Sequence, residues 1–229
     1  MRMRKKKHAR ERLANCGELV FTGPEQVRLL GGWQDVFKNQ APLHIEIGCG
    51  KGAFIAETAR RFMDVNFVAL EKNTDVMVLA AERVRDSGLL NVRLALCDAQ
   101  TLPEWFAPNE VSRIYLNFSD PWPKSGYAKR RLTHERYLDL YRRIVVPGGE
   151  IHLKTDNEKF FEFSLETFER CGLSISEVTR DLHASAYAKD NVMTEYEAKF
   201  TAEGLPICRC VAVFPPSGGA KAAGRQDAF

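Results

Sequence analysis

Short apolar runs alternate with helix-like segments through most of the chain, and this alternation limits the folds that it can adopt. Strands that alternate with helices form a parallel sheet covered by helices on both faces. Thr133 is the predicted N-cap of one helix, and Gly88 is the predicted C-terminal glycine of another. The sequence therefore predicts an α/β fold with a mostly parallel, seven-stranded sheet. The seven predicted strands are 43–47, 66–70, 92–96, 111–118, 150–154, 173–180 and 207–214.

The predicted sheet leaves a segment on either side of it. Residues 1–42 precede the first strand and are predicted to form a basic arm followed by a packing segment, in which Trp33 belongs to the apolar face of a short helix. Residues 43–214 form the predicted α/β domain. Residues 215–229 are rich in Pro, Gly, Ala and Ser, which predicts a disordered tail.

Positive charge is concentrated at the N-terminus. Residues 1–12 hold seven Lys or Arg and one Glu, a balance of +6, which leaves −3 for the rest of a chain whose net charge is +3. A basic arm on a mildly acidic body indicates a localised contact with a polyanion. The alternative interpretation is a solvated terminus without a partner.

The composition favours a protein of the cytoplasm without a metal. No apolar run approaches the roughly 20 residues of a membrane span, and no apolar stretch follows the charged N-terminus as in a secretory signal. The six cysteines form no CxxC pair or zinc pattern, and the five histidines show no ligand spacing. Unpaired cysteines are typical of a reducing compartment.

A glycine-rich loop follows the first predicted strand. Gly48, Gly50 and Gly52 lie between a strand and a helix, where glycine permits a tight turn and a close approach of a ligand to the backbone. The motif also fits the relaxed dinucleotide fingerprint, so the loop alone leaves an NAD-dependent oxidoreductase open. No Tyr-x-x-x-Lys pair for hydride transfer accompanies it.

Four carboxylates are predicted to surround this loop. Glu46 lies inside the first strand, and Glu71, Asp98 and Asp120 each follow a strand. One acid after a strand is commonly a helix cap. Several acids around one cleft repel a pyrophosphate, whereas they suit S-adenosylmethionine, which carries an ammonium and a sulfonium and no phosphate. The predicted cofactor is therefore S-adenosylmethionine, and the predicted cofactor residues are Glu46, Gly48, Gly50, Gly52, Glu71, Asp98 and Asp120.

The segment NFSDPWPKSGYAKRR, residues 117–131, follows the fourth predicted strand. Two prolines stiffen the turn around Trp122, because each ring fixes its own φ and restricts the preceding residue. A carboxylate, a rigid aromatic ring and four cations are thus held at a strand end, where ligands of α/β sheets collect. A solvated turn is the alternative interpretation.

The DPWPK block and the basic segment after it resemble those of the tRNA (guanine-N7-)-methyltransferases, and the resemblance extends from residue 1 to about residue 214. It implies a Rossmann-like, class I S-adenosylmethionine-dependent methyltransferase fold. The implied reaction methylates N7 of the guanosine at position 46 in the variable loop of tRNA. The products are N7-methylguanosine and S-adenosylhomocysteine. The implied partner is tRNA, with no obligate protein partner and a monomer or homodimer as the assembly.

The resemblance also implies roles for individual residues. Glu71 would hold the ribose of the cofactor, and Asp98 would lie near the adenine. The implied substrate-binding residues are Lys124, Asp156, Thr194, Glu195, Tyr196 and Glu197. The implied RNA-binding residues are Gly126, Tyr127, Ala128, Lys129, Arg130 and Arg131, of which the first three depart from the charged or imidazole side chains expected there. The pattern T-x-x-E at 194–197 is also a helix capping box, and sequence alone favours the cap.

Asp120 is the predicted catalytic residue. Guanine N7 has a lone pair and no proton, so its methylation needs no general base. The enzyme can accelerate the transfer in two ways: by aligning N7 with the methyl group, and by placing a negative group near the purine as it becomes positively charged. Two further alternatives remain open: a methyltransferase acting on a small molecule or a protein, and an RNA-binding module without catalysis.

Overall fold

A computed structural model describes residues 6–29 and 32–216 of the protein. The strands in these ranges are β1 (Val20–Phe21), β2 (Leu43–Ile47), β3 (Asn66–Glu71), β4 (Val92–Leu96), β5 (Val111–Asn117), β6 (Val145–Thr155), β7 (Ser174–Thr179) and β8 (Cys208–Val213). The α-helices are α1 (Ala9–Ala14), α2 (Pro24–Leu29), α3 (Trp33–Phe37), α4 (Ala53–Arg61), α5 (Thr74–Ser87), α6 (Leu102–Trp105), α7 (Glu135–Ile144), α8 (Glu158–Arg170) and α9 (Glu195–Ala202).

All eight strands join one sheet in the order β1-β4-β3-β2-β5-β6-β8-β7. The first six of these run parallel, and β8 pairs antiparallel with both β6 and β7. The predicted α/β fold is confirmed, and each of the seven predicted strands is present. The eighth strand is β1, which the sequence did not reveal because two residues are too short for a periodic pattern.

Helices cover both faces of the sheet. One apolar core joins α3, α7 and α8 to the sheet, and the other joins α1, α4 and α5 to the opposite face. Trp33 is 1% exposed, and its indole Nε1 donates a hydrogen bond to the Trp105 carbonyl over 2.9 Å. Its ring contacts Phe21 edge-on and stacks on Phe106. The segment before the first long strand is thus part of the core.

The start of the described chain is held against α5. The Lys6 backbone N–H donates to Asp75 Oδ1 over 2.8 Å, and Arg12 Nη2 pairs with Glu82 Oε2 at 2.6 Å. Arg12, one of the seven Lys and Arg residues in the predicted basic arm, is therefore already paired within the protein. Residues 1–5, and residues 217–229 of the predicted tail, lie outside the described residues.

Helix caps were predicted with mixed success. Gly88 ends α5 in a left-handed conformation, as predicted, and Asn73 caps the start of that helix. The prediction for Thr133 was wrong, because His134 accepts the capping hydrogen bond of α7 from Arg136 N. Thr133 is buried instead, and its hydroxyl shares a 2.8 Å hydrogen bond with Ser164. Within 6–29 and 32–216, no helix combines the length and apolarity needed to cross a membrane.

Gly52 offers a test of the packing between α4 and α5. Its φ is +75°, and a Cβ placed there would lie 3.0 Å from Ala80 Cβ and 3.1 Å from Ala80 Cα. Gly88 has a similar φ of +67° with no atom within 4 Å of such a Cβ. We expect Gly88→Ala to lower the free energy of unfolding by about 1–2 kcal/mol through the left-handed conformation alone.

Gly52→Ala should cost about 1–3 kcal/mol more than this control, because helix backbone cannot move aside cheaply. Urea denaturation of both variants measures the difference. Equal losses would show that the approach of the two helices is loose.

Candidate active site

A cavity of about 850 Å³ lies at the carboxyl ends of β2, β3, β4 and β5. Its walls come from the glycine loop, the segments after β3 and β4, the segment after β5, and α9. Six of the seven predicted cofactor residues line it: Glu46, Gly48, Gly50, Glu71, Asp98 and Asp120. Gly52 is the exception, since it packs on α5.

The glycine loop presents open backbone to the cavity. The N–H groups of Gly48 and Cys49 both donate to the Leu70 carbonyl, over 2.8 and 2.9 Å, and so fasten the loop to β3. A Cβ on Gly48 or Gly50 would meet no atom within 4 Å. The loop is therefore fixed in place, and a ligand can lie directly against it.

Glu46 is buried with one unsatisfied oxygen. Oε1 accepts a hydrogen bond from Asn117 Nδ2 over 3.1 Å, whereas Oε2 is buried without a partner among the described residues. Burial disfavours the charged carboxylate and raises the pKa of Glu46 to about 7, although the Asn117 hydrogen bond and the nearby Lys154 oppose this. A buried acceptor without a partner is costly, and a ligand with N–H donors would relieve that cost. The ammonium of the predicted cofactor is such a donor.

Glu71 and Asp98 lie further along the same sheet edge. Glu71 Oε1 accepts from the Asn73 N–H over 2.9 Å. Burial raises the pKa of Glu71, while backbone N–H groups of Asn73, Lys72 and Gly50 oppose the rise. Asp98 Oδ1 accepts from the Gln100 N–H over 3.0 Å and caps a short 3₁₀ helix. Both carboxylates are thus oriented by backbone donors beside the cavity.

Asp120 is exposed on a strained turn. Phe118 has a φ of +51° and Trp122 a φ of +42°, a left-handed conformation that costs a non-glycine residue about 1–3 kcal/mol and persists only where surrounding contacts impose it. The Phe118 N–H donates to the Lys154 carbonyl over 2.9 Å. Arg131 holds the other end, because Nε donates to the Pro121 carbonyl over 2.9 Å and Nη2 to the Trp122 carbonyl over 3.0 Å.

The two neighbouring arginines therefore occupy different environments. The Arg131 guanidinium donates hydrogen bonds to the turn and lies over the face of Phe163, 4.3 Å from the ring centroid. Arg130 lines the cavity, where its guanidinium lies 4.9 Å from the Trp122 ring and 4.8 Å from the Tyr127 ring. The RNA contact implied for Arg131 stays a prediction, and the structure gives this side chain a positioning role.

The other members of the implied RNA-binding segment share the 3₁₀ helix Ser125–Arg130 with Arg130. They lie outside the cavity lining, and Gly126, Tyr127 and Lys129 are exposed. Lys124, before this helix, and Asp156, after β6, are exposed and also lie outside the lining. Their contacts with RNA stay predictions.

The start of α9 forms one wall of the cavity and is held by ion pairs. Thr194, Glu195 and Tyr196 line the cavity. Glu195 contacts Lys51 of the glycine loop at 3.1 Å and Arg83 of α5 at 2.7 Å. This wall is thus joined directly to the loop that faces it.

Glu197 is fully buried. Its Oε2 pairs with Lys154 Nζ at 2.7 Å, and its Oε1 contacts Asn191 and His183. Its backbone N–H donates to Thr194 Oγ1 over 2.9 Å, and its carboxylate accepts from the Thr194 N–H, so the capping box favoured by sequence alone is present. A contact between Glu197 and a substrate would require this segment to open.

The sequence did not reveal the roles of Asn117 and Lys154, whose side chains hold Glu46 and Glu197 by hydrogen bonds. Lys154 is 5% exposed and donates to Asn191 Oδ1, to the Val192 carbonyl and to Glu197. A signal was available, because a lysine within a buried strand requires a partner. Nothing in the sequence identified that partner.

Comparisons with known proteins bear on this site. A family described as "Putative methyltransferase" matches residues 40–210. The tRNA (guanine-N(7)-)-methyltransferase of Geobacillus kaustophilus (strain HTA426) is 50% identical over 216 residues, covering 94% of this chain and 98% of that protein. The enzyme of the same name from Streptococcus thermophilus (strain CNRZ 1066) is 47% identical over 93% of this chain and 99% of that protein.

The chain belongs to the tRNA (guanine-N(7)-)-methyltransferase family. The predicted membership is thus confirmed. The crystal structure of the 16S rRNA methyltransferase KamB has a TM-score of 0.57 at 14% identity, covering 84% of this chain and 92% of that one. This likeness concerns the fold alone, and it supports the class I methyltransferase fold that the resemblance implied for this chain.

In this member of the family, the raised pKa of Glu46 predicts a pH-dependent affinity for S-adenosylmethionine. The ammonium of the cofactor favours ionised Glu46, so binding below a pKa of about 7 must release a proton from this residue. We expect affinity to rise by up to about tenfold per pH unit as pH approaches 7 from below, and then to level off. Calorimetry between roughly pH 5.5 and 8 measures this rise.

Glu46→Gln should bind the cofactor more weakly with a flat profile. Asp98→Asn, at another cavity carboxylate, should weaken binding and keep the rise. A rise that survives Glu46→Gln would assign the proton to another group. The raised pKa of Glu46 affects the stability of the ligand-free protein in the opposite direction to cofactor affinity. As pH rises from about 4.5 to about 7, the unfolded chain loses the Glu46 proton before the folded protein does, so the free energy of unfolding falls.

Proposed function

We propose that the protein transfers a methyl group from S-adenosylmethionine to N7 of a guanosine in tRNA, in the variable loop. The observation that carries this proposal is the exposed Asp120 carboxylate on a clamped turn at the mouth of a cavity that also contains the buried, half-satisfied Glu46. Membership of a family whose named relatives are tRNA (guanine-N(7)-)-methyltransferases supports the substrate. A tRNA substrate and free cysteines fit a reducing cytoplasm.

The cavity residues fit S-adenosylmethionine, which supplies a methyl carbon on a positively charged sulfur. Glu46 Oε2 would accept a hydrogen bond from the ammonium. Glu71 would accept hydrogen bonds from the ribose hydroxyls, and Asp98 would lie beside the adenine. The glycine loop would approach the cofactor through its bare backbone, as its open surface allows.

Asp120 would act on the guanine. Its carboxylate is exposed at the cavity, so it can accept hydrogen bonds from the guanine N1 and N2 groups and orient the base. As N7 gains the methyl group the purine gains positive charge, and a fixed carboxylate stabilises that charge increasingly toward the transition state. The Arg131 clamp restricts the turn, which favours alignment of N7 with the methyl carbon.

Exposed cations beside Asp120 would bind the RNA backbone. Lys124 and Lys129 are exposed, and Arg130 lies at the cavity. On the N-terminal segment Lys7 and Arg10 are exposed, whereas Arg12 is paired with Glu82. We propose that these side chains contact phosphates, which carry little base information, and that the shape of tRNA supplies much of the selectivity.

The reaction is tested by incubating bulk tRNA with the protein and methyl-labelled cofactor, followed by nucleoside mass spectrometry. The expected labelled product is N7-methylguanosine. Asp120→Asn should lower the single-turnover rate by about 10²-fold or more with the fold intact, because it keeps the shape and removes the charge. Asp139→Asn, at an exposed acid on α7, is the matched control. Label on another nucleoside, or only on small molecules, would refute the proposal.

The different environments of Arg130 and Arg131 predict different kinetic effects. Arg131→Ala removes the donors that hold the turn, so we expect a lower single-turnover rate at saturating tRNA. Arg130→Ala removes a cation that has no recorded carboxylate partner among the described residues, so we expect weaker tRNA binding with a shallower salt dependence. Affinities across a salt series and single-turnover rates separate the two. The same effect from both substitutions would contradict the separate roles of Arg131 in holding the turn and of Arg130 in binding tRNA.

A further inference from the structure

Three aromatic rings cluster beside Asp120, and the roles given so far assign only Tyr196 of the three, as an implied substrate-binding residue. The ring centroids of Phe118, Tyr196 and Phe200 lie 6.4, 6.0 and 6.3 Å apart, and their planes differ by only 21–28°. Three stacked rings in a column would place the outer pair about twice as far apart as the neighbours. Near-equal spacing therefore places the three rings in a triangular cluster, here called the aromatic shelf. Phe118 and Tyr196 both line the cavity.

The shelf combines an exposed ring with a ring on a strained backbone. Tyr196 is 63% exposed. Phe118 adopts a left-handed conformation, which is a rare state for a bulky residue, and its N–H is fixed to the Lys154 carbonyl. The strained backbone thus directs an aromatic side chain toward α9 and the cavity, two residues before Asp120. An ordinary core position would not require this strain.

The faces of the other rings around the cavity already meet cations of the protein. Lys154 Nζ lies 5.1 Å from the Phe54 centroid. The guanidinium of Arg130 lies 4.9 Å from the Trp122 ring, and that of Arg136 lies 5.0 Å from the Tyr137 ring. Of the five aromatic rings in the cavity wall, Phe118 and Tyr196 have no such cation among the described residues. The third ring of the shelf, Phe200, has Lys199 Nζ 5.7 Å from its centroid, so the ring faces offered to a ligand are those of Phe118 and Tyr196.

We propose that Phe118 and Tyr196 form a stacking surface for the acceptor purine that binds its cationic, N7-methylated form more tightly than its neutral form. This proposal rests on the proposed function and deepens it. In the transfer, the N7 lone pair forms the bond to the methyl carbon, and the electron pair of the carbon–sulfur bond stays on sulfur. Positive charge therefore leaves the sulfonium and appears on the purine.

A ring face attracts that charge more strongly than it attracts a neutral base. Stacking therefore stabilises the transition state more than the ground state, which is the condition for acceleration. The same preference persists in the product, so the surface also slows release of the methylated nucleotide. Asp120 and the aromatic shelf then act on one charge from two directions, the carboxylate at the base edge and the rings at the base face.

The test compares guanosine 5′-monophosphate with N7-methylguanosine 5′-monophosphate, both obtained chemically, by calorimetry on the protein loaded with S-adenosylhomocysteine. We expect the wild-type protein to bind the methylated nucleotide roughly three- to tenfold more tightly. Phe118→Leu and Tyr196→Leu keep apolar bulk and remove a ring face, so each should lower this ratio by about twofold or more, toward the preference that Asp120 alone provides. Each should also lower the single-turnover rate on tRNA at saturating substrate.

Phe62→Leu is the matched control, because this exposed ring lies outside the cavity lining and outside the shelf, and the nucleotide ratio should stay unchanged. Circular dichroism checks the fold, and Tyr196→Leu on an exposed helix surface serves if Phe118→Leu does not fold. A wild-type ratio near one, or a ratio that neither ring substitution lowers, overturns the proposal. Either result leaves methylation of tRNA at N7, measured by mass spectrometry, standing by itself.

Discussion

One buried ammonium group connects the parts of the cavity wall. Lys154 lies near the end of β6, its carbonyl accepts the N–H of Phe118, and its side chain reaches Glu197 of α9. Desolvation lowers the pKa of Lys154, and Glu197 opposes that shift as the paired charge. A lysine buried in this way is tolerated only with such a partner, so the positions of the Asp120 turn and of α9 depend on each other.

The same ammonium contributes to the electrostatic balance of the site. Glu46 is buried, and its pKa reflects a competition between desolvation on one side and Asn117 and Lys154 on the other. The outcome is a carboxylate that is half ionised near neutral pH and has one unsatisfied oxygen. A ligand that carries an ammonium completes this arrangement, whereas a pyrophosphate would meet four carboxylates. The charge of the site, as well as its shape, therefore supports the proposed placement of the S-adenosylmethionine ammonium at Glu46.

Much of the fold and the cavity could be predicted from the sequence, because strand runs and their terminal acids are local patterns. The parallel topology then brought Glu46, Glu71, Asp98 and Asp120 to one edge of the sheet, as expected. The roles of Arg131 and Glu197 could not be predicted in the same way. Arg131 donates to carbonyls nine and ten residues earlier, and Glu197 pairs with a lysine from a distant strand. Such roles depend on tertiary contacts, which a charge pattern does not specify.

The short strand β1 has a consequence for where this protein can be divided. It pairs with the edge of β4 through Val20 and Phe21, and the same segment supplies Trp33 to the core. A chain that began at the first long strand would leave β4 with unpaired N–H and carbonyl groups beside an apolar hollow. Open strand edges of this kind pair with other copies of the chain and cause aggregation. The N-terminal segment thus covers the edge of the sheet, and this structural role does not depend on what its basic residues bind.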